Sequence, residues 1–168
     1  MSEREIRSYD YVNQPYDRVR DALKQEAASV FQRATRLAEA RTGELLVTLN
    51  VEGSGLSVSK EVELSIGEIH EEQRGGSLAS RTLHVPLSWR AAQAPGLFPV
   101  MRAEFLVYPL SSTETQIELH GHYVPPLGVL GGALDAIVGH RFAEASVQRF
   151  VQAVSDRLRQ QLRERQAG

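Results

Sequence analysis

Ile117-Glu118-Leu119-His120-Gly121-His122-Tyr123, then Pro125-Pro126-Leu127-Gly128, then an almost unbroken run from Ala133 to Arg165, form the stretch that decides the fold. In the first part, Ile117, Leu119, Gly121 and Tyr123 alternate with Glu118, His120 and His122, the period-two pattern of a half-buried strand. The prolines end it. From Ala133 the only helix breaker is Gly139, so one long helix is predicted, with Asp135 near its start. Arg157, Arg159, Arg163 and Arg165 near its end suit the helix dipole.

Working backwards, the same alternation recurs. Met101, Ala103, Phe105 and Val107 oppose Arg102 and Glu104. Leu83, Val85, Leu87 and Trp89 oppose Thr82, His84, Ser88 and Arg90. Pro86 inside that segment predicts a sheet edge or a bulge. Leu56, Val58, Val62, Leu64 and Ile66 predict another strand, with Lys60 out of register. Leu45, Val47, Leu49 and Val51 predict one from Glu44 onward. Gly53-Ser54-Gly55, Gly75-Gly76, Pro95-Gly96 and Ser111-Ser112-Thr113 are the turns. Ile6 to Val12 reads as a first strand. Pro15 then opens a short helix with Tyr16, Val19 and Leu23 on one face. A second short helix follows over Ala27 to Ala40, capped at Gly43. The order predicted is β, α, α, five strands, α: an α+β domain whose antiparallel sheet has one apolar face for the long helix to cover.

Composition narrows the function. The 168 residues fit one domain, and 42% apolar residues suffice for a core. A net charge of −2 makes no case for nucleic acid. There is no cysteine, which excludes disulfides, thiol catalysis and thiolate metal sites, and suits a reducing, cytoplasmic setting. No signal-peptide pattern and no transmembrane run is seen.

The run Tyr123-Val124-Pro125-Pro126-Leu127-Gly128-Val129-Leu130-Gly131 before the last helix resembles the Tyr-x-Pro-Pro-x-Gly-x-x-Gly ending of bacterial polyketide cyclase/dehydrase and lipid-transport proteins. These belong to the START-like (SRPBCC) helix-grip superfamily, and the likeness spans about Glu5 to Leu162. It implies a curved sheet of about six strands, two short helices after the first strand, and a long C-terminal helix gripping an apolar cavity. The implied function is binding or transport of a hydrophobic small molecule: a lipid, an isoprenoid or an aromatic polyketide-like compound. The implied alternative is a cyclase or dehydratase using the same cavity. Residues expected along its wall are Phe31, Leu64, Val85, Trp89, Phe105, Tyr123, Leu127, Leu130, Ala136, Gly139, His140 and Ala143. His140 and Tyr123 are the acid–base candidates, and no cofactor is expected.

The long helix carries a core stripe of Val147, Phe150, Val151, Val154 and Leu158, which continues backwards as Ala143, Gly139, Ala136 and Gly132. Small residues there serve either close packing on the sheet or room for a ligand. Leu134, Val138 and Phe142 form a second row on the opposite side. It either packs under the preceding loop or is an exposed stripe marking a homodimer or membrane contact. His120, His122 and Glu118 share one strand face and could ligate zinc or non-haem iron. That face is the polar one, so no metal is expected there. Gly128, Gly131 and Gly132 match no phosphate-binding fingerprint and read as a gate. Neither a Gly-x-Ser-x-Gly elbow nor a His-Glu-x-x-His helix is present.

Overall fold

A computed structural model describes residues 3–48, 62–76, 80–91, 100–124 and 134–168. The elements are β1 (Arg4–Val12), α1 (Tyr16–Thr48), β2 (Val62–Ile66), β3 (His70–Gln73), β4 (Arg81–Ala91), β5 (Val100–Pro109), β6 (Thr115–Val124) and α2 (Leu134–Ala167). The strands form one six-stranded sheet in the order β1-β6-β5-β4-β2, with β3 also on β4. Every pairing is antiparallel. A curved antiparallel sheet crossed by a long terminal helix is the helix-grip arrangement expected above. Among the described residues, no helix is long and apolar enough to cross a membrane.

The alternation in the sequence is realised as two faces. Leu83, Val85, Leu87, Met101, Phe105, Val107, Ile117, Leu119 and Tyr123 are all buried on the inner one. α2 lies along α1 and against β1. Its stripe of Val147, Phe150, Val151, Val154 and Leu158 is buried as the 3.6-residue period predicts. Polar contacts fix its placement. Ser155 donates to Asp10 on β1, and Arg159 donates to Asp10 and to the Tyr11 carbonyl. At the far end Arg165 and Gln161 both donate to Glu26.

Glu26 is where the two expected short helices meet. Its φ of −133° and ψ of 25° break an otherwise continuous α1. The break falls between Leu23 and Ala27, as the sequence suggested. The second segment is not short, however, and it overrides both the cap at Gly43 and the strand from Glu44. α1 continues to Thr48. The reason is that a brief apolar run such as Leu45-Leu46-Val47 cannot be assigned by periodicity alone. Glu and Leu are good helix formers, and one glycine costs a helix only about 1 kcal/mol. The segment 49–61, with Lys60, lies outside the described residues, as does the Pro95-Gly96 turn.

β3 takes the place of the lost strand, and sequence reading missed it. His70-Glu71-Glu72-Gln73 has neither alternation nor β-branched residues; only its pairing with β4 makes it a strand. Between the pairs Ile66↔Leu87 and His70↔His84, the residues Gly67, Glu68 and Ile69 stand opposite only Val85 and Pro86. The bulge lies in the segment opposite Pro86, whereas the sequence predicts an edge or a bulge in Pro86's own strand, which is interior and unbroken against β5. The N and C=O of one strand residue point to the same neighbour, and the Pro86 carbonyl accepts from Gly67 N–H at 2.8 Å. The missing proline donor therefore falls within the bulge and leaves the β4–β5 ladder intact. Gly67 lies so close that a Cβ there would sit 2.9 Å from Pro86 Cβ.

The outer face is polar, but one carboxylate on it is buried. Glu118, 3% exposed, accepts from Arg7, from the Tyr108 hydroxyl at 2.9 Å and from Gln116 at 3.3 Å. Burial alone would raise its pKa; the Arg7 and Tyr108 hydrogen bonds outweigh that and hold it below the ordinary range. Tyr108, desolvated and facing that carboxylate, is pushed up to about 12. A depressed carboxyl stabilises the fold above its unfolded pKa of about 4.3, and that contribution is lost as pH falls through the lower folded value. Wild type should therefore exceed Glu118→Gln in unfolding free energy at neutral pH. Urea titrations should show that difference shrinking below pH ~4 and vanishing at stronger acidity.

Candidate ligand site

Strand register sets the inner face out in rows. The first runs Leu64, Trp89, Met101, Tyr123, Arg4 across β2, β4, β5, β6 and β1. The second runs Ile66, Leu87, Ala103, Gly121, Ile6, and a third runs Val85, Phe105, Leu119, Ser8. Antiparallel pairing places such residues side by side, about 4.5–5.5 Å apart at Cβ. Three of the expected wall residues, Leu64, Trp89 and Tyr123, thus share one row, while Val85 and Phe105 share another.

The third row is closed. Phe31, from the second segment of α1, sits edge-on to Phe105 with centroids 5.1 Å apart and planes at 78°. It also stacks on Phe150 of α2 at 6.1 Å and 19°. Phe31, Phe105 and Val85 are completely buried. They are core side chains that join both helices to the sheet.

The second row differs. Gly121 has no side chain, and a Cβ there would lie 2.7 Å from Ala103 Cβ and 2.8 Å from the Arg102 carbonyl oxygen. Two small residues side by side make a trough in the sense of low side chains, although Gly121 itself is buried. Ala103 is only partly buried, although Met101 and Phe105 on the same strand face are 1% and 0% exposed. Leu64 and Ile66, at the β2 end of the two rows, are partly buried as well. Sequence reading placed Ala103 on the apolar face but passed over it, because an alanine among larger residues carries no signal of its own.

Tyr123 is fully buried in the first row, one row from the trough. Burial raises its phenol pKa, partly offset by the Arg4 cation. It therefore stays protonated and can donate a hydrogen bond or a proton, but it is a poor base. Ala143 is buried on α2. Ala136, Gly139 and His140 lie within the α2 helix, but their side chains, like that of Trp89, are outside the described residues, and so are Leu127 and Leu130. The same holds for the side chains of Leu134, Val138 and Phe142. The glycines Gly128, Gly131 and Gly132 also lie outside.

The expected solvent-side trio does not converge. Glu118 is taken up by Arg7, Tyr108 and Gln116, while His120 bonds Glu5 at 2.7 Å. The His120 and His122 rings stand 6.0 Å apart.

No protein-family model and no curated protein matches the chain. Among solved structures, it is similar to the Zhui aromatase/cyclase from Streptomyces sp. R1128, at 16% identity over 96% of each chain and a TM-score of 0.44. It is also similar to norcoclaurine synthase from Thalictrum flavum, solved with dopamine and hydroxybenzaldehyde. There the identity is 10%, over 92% of this chain and 86% of that one, with a TM-score of 0.38. A third is Ara h 8.0201, at 10% identity over 94% and 98% of the two chains and a TM-score of 0.40.

Proposed function

We propose that the protein binds a hydrophobic small molecule between the inner face of the sheet and the first half of α2. The observation that carries this reading is Ala103. It lies on an interior strand, faces inward between buried neighbours, and is still partly exposed. Space at that point, beside the bare Gly121 and the Leu64-to-Tyr123 row, would be lined almost wholly by apolar groups. The sequence of α2 agrees, since Ala136, Gly139 and Ala143 extend its core stripe with small residues only. Affinity would come from apolar burial at about 25 cal/mol per Å². Tyr123, in the neighbouring row, is the candidate to orient a ligand oxygen. Lipids, isoprenoids and aromatic polyketide-like compounds are the ligand classes that fit such a wall. Ring closure or dehydration of such a ligand is the second reading, favoured by Tyr123 alone as a buried proton donor.

The test is Ala103→Trp. In a ligand space the indole fills the trough, so binding of an apolar fluorescent dye such as anilinonaphthalene sulfonate should weaken at least tenfold. The melting temperature should hardly move. Any apolar molecule seen by native mass spectrometry of the wild type should be missing from the variant. If Ala103 instead abuts packed atoms, the variant loses about 1–3 kcal/mol to overpacking. That loss, with no change in dye binding, would refute the proposal.

A further inference from the structure

The bulge in β2–β3 has a consequence on the opposite side of the sheet. Had β3 kept the register of β2, Ile69 would face His84 on the outside and His70 would point into the core. The extra residue in the bulge reverses this. Ile69 packs against the core, and His70 stands opposite His84 on the outer face. Bulges commonly re-aim a side chain in this way. Glu104 of β5 lies diagonally beyond, being the partner of Pro86.

Three strands thus bring two imidazoles and a carboxylate together. His70, His84 and Glu104 each offer one donor atom, and the three atoms lie within 4.8 Å of one another. The imidazole rings are stacked, with centroids 4.8 Å apart and planes at 10°. Each imidazole lone pair lies in its own ring plane, so the exposed His70 ring must turn out of this stack for both nitrogens to meet one ion. His84 Nδ1 is 2.8 Å from Glu104 Oε1, and its Nε2 is 3.8 Å from Glu72 Oε2. With Glu104 beside one nitrogen, the carboxylate at the other, Glu72, is placed to orient the ring of a ligating histidine. Glu72 pairs with Thr82, so it belongs to the same face.

We infer that His70, His84 and Glu104 form a binding site for a divalent first-row transition ion, with Glu72 as the neighbouring carboxylate. Two nitrogen donors and one oxygen donor suit Zn²⁺, Co²⁺, Ni²⁺ or Cu²⁺, whereas Mg²⁺ and Ca²⁺ require oxygen ligands. Three protein ligands leave the fourth tetrahedral position to water. The ion would tie the four-residue strand β3 to β4 and β5, and it would do so independently of anything bound on the inner face.

The experiment is calorimetric titration of the tag-free protein with Zn²⁺, followed by His70→Gln, His84→Ala and Glu104→Gln. One ion should bind per chain, and a hundredfold excess over Kd should raise Tm by about 5–10 °C. His84→Ala and His70→Gln should each weaken binding at least tenfold, and Glu104→Gln less. Mg²⁺ should produce no shift, and His122→Ala should bind as wild type does. Circular dichroism of the metal-free variants separates loss of ligands from loss of fold. The inference fails if no stoichiometric binding is seen. It fails equally if the folded His70 and His84 variants bind zinc undiminished, or if substitution of His122 abolishes binding.

Discussion

Phe31→Ala should lower the unfolding free energy by about 3–5 kcal/mol, the range for deleting a buried phenylalanine. Phe31 is fully buried and bridges three elements, standing edge-on to Phe105 and stacked on Phe150. Removing it costs the transfer energy of the ring, the aromatic geometry at both contacts, and a void where α1, α2 and β5 meet. Ordinary collapse does not close that void. Its neighbours are held from opposite sides, one by the sheet ladder and the other by the Asp10 and Glu26 contacts of α2. At about 2–4 °C per kcal/mol for a chain of this size, Tm should fall by roughly 10 °C. Thermal melts and urea titrations would measure it. A drop below 1 kcal/mol would mean that Phe31 does not join the helices to the sheet. Phe31→Leu, which keeps most of the volume, should recover the larger part of the loss.

Gly121→Ala should be nearly as damaging, for the opposite reason. The added methyl would meet Ala103 Cβ at 2.7 Å and the Arg102 carbonyl oxygen at 2.8 Å. Neither neighbour is the end of a flexible side chain, so β5 and β6 would have to move apart where Ala103 and Gly121 pair. A cost of about 3 kcal/mol is expected, at the upper end for overpacking. Coupling to Ala103 offers a check. Ala103→Gly removes one of the two clashes but not the one with the backbone oxygen, so the double variant should be partly rescued. Additive losses in a double-mutant cycle would show that the two positions do not touch. Because both residues form the trough, this cycle measures its packing, while the Ala103→Trp binding test measures its use.

Much of the architecture could be read from the chain in advance. Period-two alternation over Leu83–Trp89, Met101–Val107 and Ile117–Tyr123 became β4, β5 and β6, because each strand has one dry and one wet face. The stripe from Val147 to Leu158 became the buried side of α2 for the same reason. The reading failed where the deciding contacts are distant. Residues 44–48 carry apolar side chains that suit either a helix or a strand, and α1 continues through them. His70–Gln73 has no strand signal, and it is extended because β4 offers an unpaired edge. The candidate site was legible only by pieces. Leu64, Trp89 and Tyr123 were each named from their own strands, yet no sequence pattern says that they form a row, since that depends on the register between strands.

What the amino-acid order determined by itself is therefore which residues face inward on β4, β5, β6 and the second half of α2, and the length of the final helix. Those follow from local sterics and from the period of apolar residues. Only the tertiary structure decided which inward residues stand beside one another. It set Ala103 next to Gly121, wedged Phe31 between Phe105 and Phe150, and turned His70 out towards His84 and Glu104. The physical reason is that strand register and helix docking are chosen by the whole core at once. A one-residue slip would exchange the faces of an entire strand, and no segment carries enough free energy alone to choose between the alternatives.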